Sequence, residues 1–281
     1  MKSYEEAPLN YDFLIEAVLT ASENLLEKFN IRNEKLILGL QTDFVEEKAK
    51  RELVVQEDLI SEKIITELIQ MNDPGARVYS EECNHLSELS SDRSPRKYII
   101  DPLDGTHNFY FGIPFWGISV GVLDENNFSV GVVISLPVFN ILLKNQGPNE
   151  STFLHSLSGW HKTSILHKHI NESLICYDNQ FYKIGHRAIE NFERLAKEAF
   201  TTRITGSAVA DAAFIALGRS NARVFNNTNS YDIAAGISIV KGAGGKVTNF
   251  CGDEIDVMSG QVVMSSGDEL HDSIMKIFCN E

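Results

Sequence analysis

The segment Tyr98-Ile99-Ile100-Asp101-Pro102-Leu103-Asp104-Gly105-Thr106 constrains this chain more than any other stretch. A short apolar run delivers two carboxylates three positions apart, then a glycine and a hydroxyl. The pattern predicts a buried strand ending at Asp101, a tight Pro-Leu-Asp-Gly turn, and a helix opening near Thr106. Such a turn aims both Asp side chains and a backbone carbonyl at one point. The N–H groups of Gly105 and Thr106 sit beside it, ready for an anion. No Lys or Arg occurs from Asp101 to Leu143, so local basic side chains do not neutralise an anion there. Hard divalent cations such as Mg²⁺, which take oxygen ligands, are the natural alternative. The segment reads as a metal-assisted phosphate site. Taken alone it has a purely local reading as well, because Asp and Gly favour turns in any context.

Further carboxylates raise the odds. Glu81-Glu82 follows the strand-like Ala76-Arg77-Val78-Tyr79-Ser80; an isolated Glu pair is usually solvated surface. Asp58 stands at the head of an amphipathic pattern in which Leu59, Ile60, Ile64, Ile65, Leu68 and Ile69 recur at helical spacing. Its charge there also suits a helix start. Asp232 falls in the first turn of a small-residue helix, Ser230-Tyr231-Asp232-Ile233-Ala234-Ala235-Gly236, where capping is the alternative reading.

Together these elements resemble the inositol monophosphatase family, within the wider group that includes fructose bisphosphatases and bisphosphate nucleotidases. The family motif D-P-(I/L)-D-G-T-x-N-F stands without substitution at Asp101 to Phe109. Its Glu-Glu stands at Glu81-Glu82, its W-D-x-A-A-G element at Tyr231 to Gly236, and its G-(S/T)-A element at Gly206-Ser207-Ala208. The likeness covers roughly residues 35–265, in the family's order. It implies an α+β fold built as a layered α-β-α-β-α sandwich and a homodimer. Residues 1–145 would form an α+β half carrying the metal motifs, and residues 146–281 an α/β half completing the site.

The resemblance also implies roles. Glu81, Asp101, Asp104, Asp232 and the Leu103 carbonyl would hold two or three Mg²⁺ ions, Asp101 bridging two of them. Thr106, with Asp58 behind it and Glu81 beside it, would orient the attacking water. Asp104, Gly105, Thr106 and Asp232 would meet the substrate, and Gly206, Ser207 and Ala208 would line its alcohol side. The implied reaction is phosphomonoester hydrolysis of a small phosphorylated polyol or sugar. Departures fall on the substrate side: Phe225 stands where typical members carry a Glu that binds inositol hydroxyls, Asn229 replaces a frequent His, Tyr231 a frequent Trp, and Ser80 a frequent Gly.

Fructose-1,6-bisphosphatase activity stays open, since Gly112-Ile113-Pro114-Phe115 matches an archaeal-type continuation of the motif. Bisphosphate nucleotidase activity is disfavoured by His107-Asn108, where those enzymes usually carry Lys and Glu. A haloacid-dehalogenase-type phosphatase needs its two Asp residues two apart, which Asp101 and Asp104 do not satisfy. A metal-binding protein without turnover is the remaining alternative; every expected ligand, Thr106 and Asp58 argue against it.

A net charge of −14 argues against nucleic acid as a partner. The four cysteines are far apart and form no C-x-x-C pair, so reduced thiols and a cytoplasmic location are expected. The longest apolar stretch, Phe109 to Leu123, is too short and Gly-rich for a membrane span, and the N-terminus has no apolar signal core. Periodicity predicts helices near 8–28, 58–71, 185–199, 207–217, 231–242 and 268–278. Strands are expected near 35–40 and 76–80, in the alternating tail of the stretch Phe109 to Leu123, and near 128–136, 172–177, 201–204, 222–226, 246–249 and 261–265. A charged, mobile-looking stretch at 42–56 and an irregular segment at 144–165 complete the reading.

Overall fold

The computed structural model describes residues 12–40, 46–49, 52–82, 86–147 and 150–279. Helix α1 (Asp12–Ile37) leads through a short ribbon, β1 (Glu46–Ala49) and β2 (Glu52–Val54), into α2 (Gln56–Asn72). A seven-stranded sheet follows in chain order: β3 (Arg77–Ser80), β4 (Lys97–Asp104), β5 (Gly117–Leu123), β6 (Ser129–Leu136), β7 (Ile141–Asn145), β8 (Phe153–Ser156) and β9 (Gly159–Lys162). The short helix α3 (Thr106–Tyr110) sits between β4 and β5. All neighbours are antiparallel except β3 and β4.

All eight residues of β4 are buried, because both faces of the strand are covered. Side chains alternate across the sheet, so Tyr98 and Ile100 meet α1 and α2, whereas Ile99 packs on the opposite face. That opposite face carries α6 (Ala208–Ala216) and α7 (Ser230–Gly242), two helices rich in alanine and glycine. Their small side chains let the layers close in. A Cβ at Gly236 would lie 2.9 Å from Met264 Cε and 3.1 Å from Ala212 Cβ.

Beyond this thin layer lies a second sheet, in the order β11 (Thr201–Arg203), β10 (Leu174–Tyr177), β12 (Ala222–Phe225), β14 (Val262–Ser265), β13 (Lys246–Thr248). Its far face is covered by α5 (His186–Glu198) and α8 (Asp268–Cys279), with Leu195, Leu270, Ile274 and Phe278 packed on Ile175, Val224 and Val263. A single turn, α4 (Phe181–Ile184), precedes α5. The layers therefore run α-β-α-β-α.

Three expectations are corrected. The N-terminal helix reaches Ile37, and no strand forms at 35–40. Tertiary contacts override the local preference there: Arg32 is buried with its guanidinium 5.2 Å from the Tyr110 ring centroid, and Gly112 packs against Asn33 and Leu36. Gly39, at φ +67°, ends the run. The expected start of that helix at residue 8 lies outside the described residues. The charged stretch carries the β1–β2 ribbon where it is described. Where it is described, the segment 144–165 is more regular than expected, since it completes β7 and adds the β8–β9 hairpin. Lys144 lies over the Trp160 ring at 4.4 Å, and Gly159 turns the chain at φ +108°.

A buried histidine makes the fold sensitive to acid. His271 on α8 bridges the second sheet through Thr248 Oγ1 and Ser265 Oγ, each at 2.8 Å. Burial pushes its pKa from 6.5 down to about 4. The folded state thus binds fewer protons than the unfolded state between those values. Its contribution is fully present above the unfolded pKa and is lost as pH falls toward 4, by about 3 kcal/mol. Chemical unfolding from pH 7 to pH 4 should show a steeper loss of stability in the wild type than in His271→Gln.

Candidate active site

Asp101 shares its face of β4 with Ile99 and so points toward the middle layer. The β4–β5 register then slips between Asp101 and Asp104, which re-aims the second carboxylate. The slip is held from outside by α2, whose Ser61 Oγ donates to the Pro102 carbonyl at 2.7 Å. Gly105 follows at φ +86°, where a Cβ would lie 2.8 Å from the Phe115 carbonyl oxygen. Only glycine fits this turn into α3. Thr106 opens the helix and donates its hydroxyl to the Leu103 carbonyl at 3.1 Å.

The other expected carboxylates arrive on helix starts. Asp232 lies in the first turn of α7, where its Oδ2 accepts from the Asn229 N–H at 3.0 Å and the Thr228 hydroxyl at 3.1 Å. Asp58 occupies the matching place in α2 and accepts from the Val55 N–H at 2.7 Å. Both are thus capping residues, as their local pattern allows; Asp232 also joins the carboxylate cluster, and the charge of Asp58 bears on Asp101. Glu81 directly follows β3, with its N–H donating to the Ile100 carbonyl at 3.2 Å.

Asp104 is held differently. Its Oδ1 accepts from the Ala208 N–H at 3.1 Å, and its Oδ2 from the Val209 N–H at 2.9 Å and from the Ser207 hydroxyl. A carboxylate from β4 therefore caps α6, more than a hundred residues away in the chain. Gly206, at φ +82°, turns the chain into this helix. The Ser207 hydroxyl and the Ala208 and Val209 amides accordingly direct their donors at Asp104.

Carboxylate oxygens of Asp101, Asp104 and Asp232 all lie within 4.8 Å of one another. Burial raises the Asp101 pKa well above the usual carboxylate range, and the charges of Glu81, Asp104, Asp232 and Asp58 push it further up. The charges of the other four predicted carboxylates thus all bear on Asp101. Burial raises Asp104 to about 7, against the hydrogen bonds from Ser207, Val209 and Ala208; the charge of Asp232 adds to the rise. Asp232 is also raised by burial, and its donors Asn229 and Thr228 and the positive charge of Arg223 oppose the shift. Among the described residues, nothing hydrogen-bonds the buried Asp101 Oδ1. Hard oxygen donors, mutual repulsion and an unsatisfied inward-facing oxygen fit a divalent cation such as Mg²⁺.

Two contributors escaped the sequence reading. Asn108 of α3 spans the cleft, donating from Nδ2 to the Phe115 carbonyl at 2.6 Å and the Thr205 carbonyl at 2.9 Å. It ties the turn after Asp104 to the turn before Ser207. Its place inside D-G-T-x-N-F was the available signal. The other is the buried pair of Asp211 on α6 and Arg223 on β12, joined at 2.8 Å. No local pattern announces a contact between two separate elements. Phe225, at the end of β12, is buried in the apolar middle cluster, with the Arg223 guanidinium 4.6 Å from its ring centroid.

Comparison with known proteins agrees with this geometry. The model of the inositol monophosphatase family matches residues 10–281. The chain is 28% identical over 251 residues to an inositol-1-monophosphatase of Caulobacter vibrioides, covering 86% of this chain and 96% of the relative. It is 30% identical over 240 residues to a Thermotoga maritima protein named fructose-1,6-bisphosphatase/inositol-1-monophosphatase, covering 84% and 87%. A solved inositol monophosphatase structure from Thermotoga maritima matches with a TM-score of 0.79 at 27% identity, covering 96% of each chain. The protein is therefore a phosphoric monoester hydrolase by class. It belongs to the inositol monophosphatase family.

Crowding of the carboxylates has a measurable cost. Groups whose folded pKa is raised stabilise the fold only below their unfolded pKa, and that contribution is lost as pH rises through the folded value. In the presence of chelator at pH 8, Asp101→Asn should therefore melt at a higher temperature than the wild type. Excess Mg²⁺ should reverse the order, by raising the wild-type Tm and leaving the variant nearly unchanged. Thermal denaturation with and without chelator checks both signs.

Proposed function

We propose that the protein is a Mg²⁺-dependent phosphomonoesterase acting on a small phosphorylated polyol or sugar. The convergence of Asp101, Asp104 and Asp232, with Asp101 Oδ1 left unsatisfied, carries this reading. Glu81, Asp101, Asp104, Asp232 and the Leu103 carbonyl would hold two or three cations, with Asp101 shared between two. When bound, the ions make a water acidic enough to attack at neutral pH and neutralise charge on the leaving oxygen.

The chain's own groups supply position. The Thr106 hydroxyl, already fixed by its bond to the Leu103 carbonyl, would orient the attacking water together with Asp58 and Glu81. The Gly105 and Thr106 amides would receive phosphate oxygens at the start of α3. The phosphorus–oxygen bond to the alcohol breaks as the bond to water forms, giving free alcohol and inorganic phosphate. Gly206, Ser207 and Ala208 would border the departing alcohol. We place the enzyme in the cytoplasm as a homodimer, in keeping with the resemblance and with reduced thiols. No helix among the described residues is long and apolar enough to cross a membrane.

Fructose-1,6-bisphosphatase activity is the second reading, supported by Gly112-Ile113-Pro114-Phe115 and by the double name of the Thermotoga relative. Phe225 bears on this choice. An aromatic side chain buried at this position offers no acceptor to polyol hydroxyls, so a hydroxyl-rich ligand loses a partner. Myo-inositol 1-phosphate should then have a lower kcat/KM than at least one sugar phosphate or sugar bisphosphate. A panel at saturating Mg²⁺ that ranks inositol phosphate first would refute this.

Phosphate release should require Mg²⁺ and be inhibited by Ca²⁺, whose larger and looser coordination misplaces the reacting groups. Equal turnover in chelator would sink the metal-assisted reading. Asp101→Asn should lower kcat/KM by about 100-fold or more, because a shared ligand serves two ions, and Glu82→Gln by about tenfold or less. The reverse order would move the ligand at the Glu pair by one position.

A further inference from the structure

Asp104 and Asp232 must stay close although they ride on different elements. Asp104 is clamped to the start of α6 by Ser207, Ala208 and Val209. Asp232 is clamped to the link between β12 and α7 by Thr228 and Asn229. Their separation therefore depends on how α6 sits relative to β12. Most of the contact made by α6 uses alanines, which pack closely without directional bonds and give little resistance to sliding.

One polar connection supplies that direction. Asp211 is fully buried on α6, one turn after Ser207. Its Oδ2 accepts from Arg223 Nη1 at 2.8 Å, and its Oδ1 accepts from the Thr205 hydroxyl at 2.8 Å. The same Arg223 nitrogen donates to the Tyr177 carbonyl on the neighbouring strand β10, and the guanidinium lies over Phe225. Thr205 in turn receives Asn108 from α3 on its carbonyl. The connection thus runs from α3 through Thr205 and α6 to two strands of the second sheet. A buried ion pair is a weak source of net stability, and its best-attested use is fixing register.

We propose that Asp211 and Arg223 are positioning residues for the cation site, setting the spacing of Asp104 and Asp232 by locking α6 to β12. Neither residue is a ligand. This inference rests on the reading of the carboxylate cluster as a cation site. Residues that orient ligands from behind typically change metal affinity by 10–100-fold when replaced.

The test is direct titration of the full chain with Mn²⁺, followed by electron paramagnetic resonance of the free ion, in parallel with thermal melting and Mg²⁺ activation curves. Asp211→Asn keeps the shape and the acceptor for Thr205 but removes the ionic half of the bond to Arg223. It should weaken Mn²⁺ binding by about tenfold or more and raise the half-activating Mg²⁺ concentration in parallel. KM for substrate at saturating Mg²⁺ should change less than that concentration. The double variant Asp211→Leu with Arg223→Met leaves no buried charge unpaired and serves if the single variant fails to fold. It too should lose cation affinity. If either folded variant binds Mn²⁺ within twofold of wild type while only its Tm falls, the pair is merely structural and the proposal is wrong. If the wild type binds no Mn²⁺, the cation reading itself fails and this inference falls with it.

Discussion

Electrostatic repulsion among buried carboxylates is the constraint around which this fold is arranged. Two such charges about 5 Å apart repel by about 3–4 kcal/mol at an effective dielectric constant near 20. Asp101, Asp104 and Asp232 fall within that range of one another, with Glu81 and Asp58 adding to the charge. The chain offsets this with backbone donors at helix starts. Val55 serves Asp58 on α2, Asn229 serves Asp232 on α7, and Ala208 and Val209 serve Asp104 on α6. Each hydrogen bond to a charged group contributes about 1.5–3 kcal/mol, and a helix start adds up to about 2 in a partly buried setting. These contributions are comparable to the repulsion; burial raises the pKa values of all three Asp residues in spite of them. Asp101, with one oxygen unsatisfied, retains the largest imbalance.

Such convergence depends on a thin middle layer. Gly121 on β5 leaves room for Ala234, and Gly236 on α7 leaves room for Ala212 and Met264, so two sheets close on one pair of helices. The end of β4 and the end of β12 then reach the same region, from opposite sides of α6 and α7. Larger side chains on these helices would separate the sheets and with them the carboxylates. Packing in the core and geometry at the site are thus one problem here, and the alanine content of α6 and α7 belongs to both.

The sequence revealed the parts of this arrangement that are local. A strand, a glycine in the left-handed region and a short helix all lie between Tyr98 and Tyr110, and each has a residue-level signal; the strand, however, runs on to Asp104 through a register slip where the sequence predicts a turn after Asp101. Asp58 and Asp232 are ambiguous in the sequence because a first-turn carboxylate serves as a cap anywhere; the structure shows both capping and brings Asp232 together with Asp101 and Asp104. Contacts between distant elements left no such trace. The clamp of α6 on Asp104, the Asn108 bridge and the Asp211–Arg223 pair each join segments whose proximity only the whole fold decides. The same reason explains the missed end of α1, where burial of Arg32 beside Tyr110 outweighs local preference.

Anchoring differs between the two sides of the cleft, and this bears on how the family diversifies. On the β4 side, position comes largely from backbone: the β4 slip, the turn at Gly105 and the amides that begin α6. Substitutions of neighbouring side chains leave those groups in place. On the other side, the link from Phe225 to Asp232 is short, and many of its polar groups are already engaged. Asn226 is bound to Asp178, while Thr228 and Asn229 hold Asp232. The hold of Asn229 on Asp232 is a backbone N–H that survives a change of side chain, whereas that of Thr228 is its hydroxyl and does not. Relatives of similar overall identity can carry names as different as inositol-1-monophosphatase and fructose-1,6-bisphosphatase/inositol-1-monophosphatase on one fold.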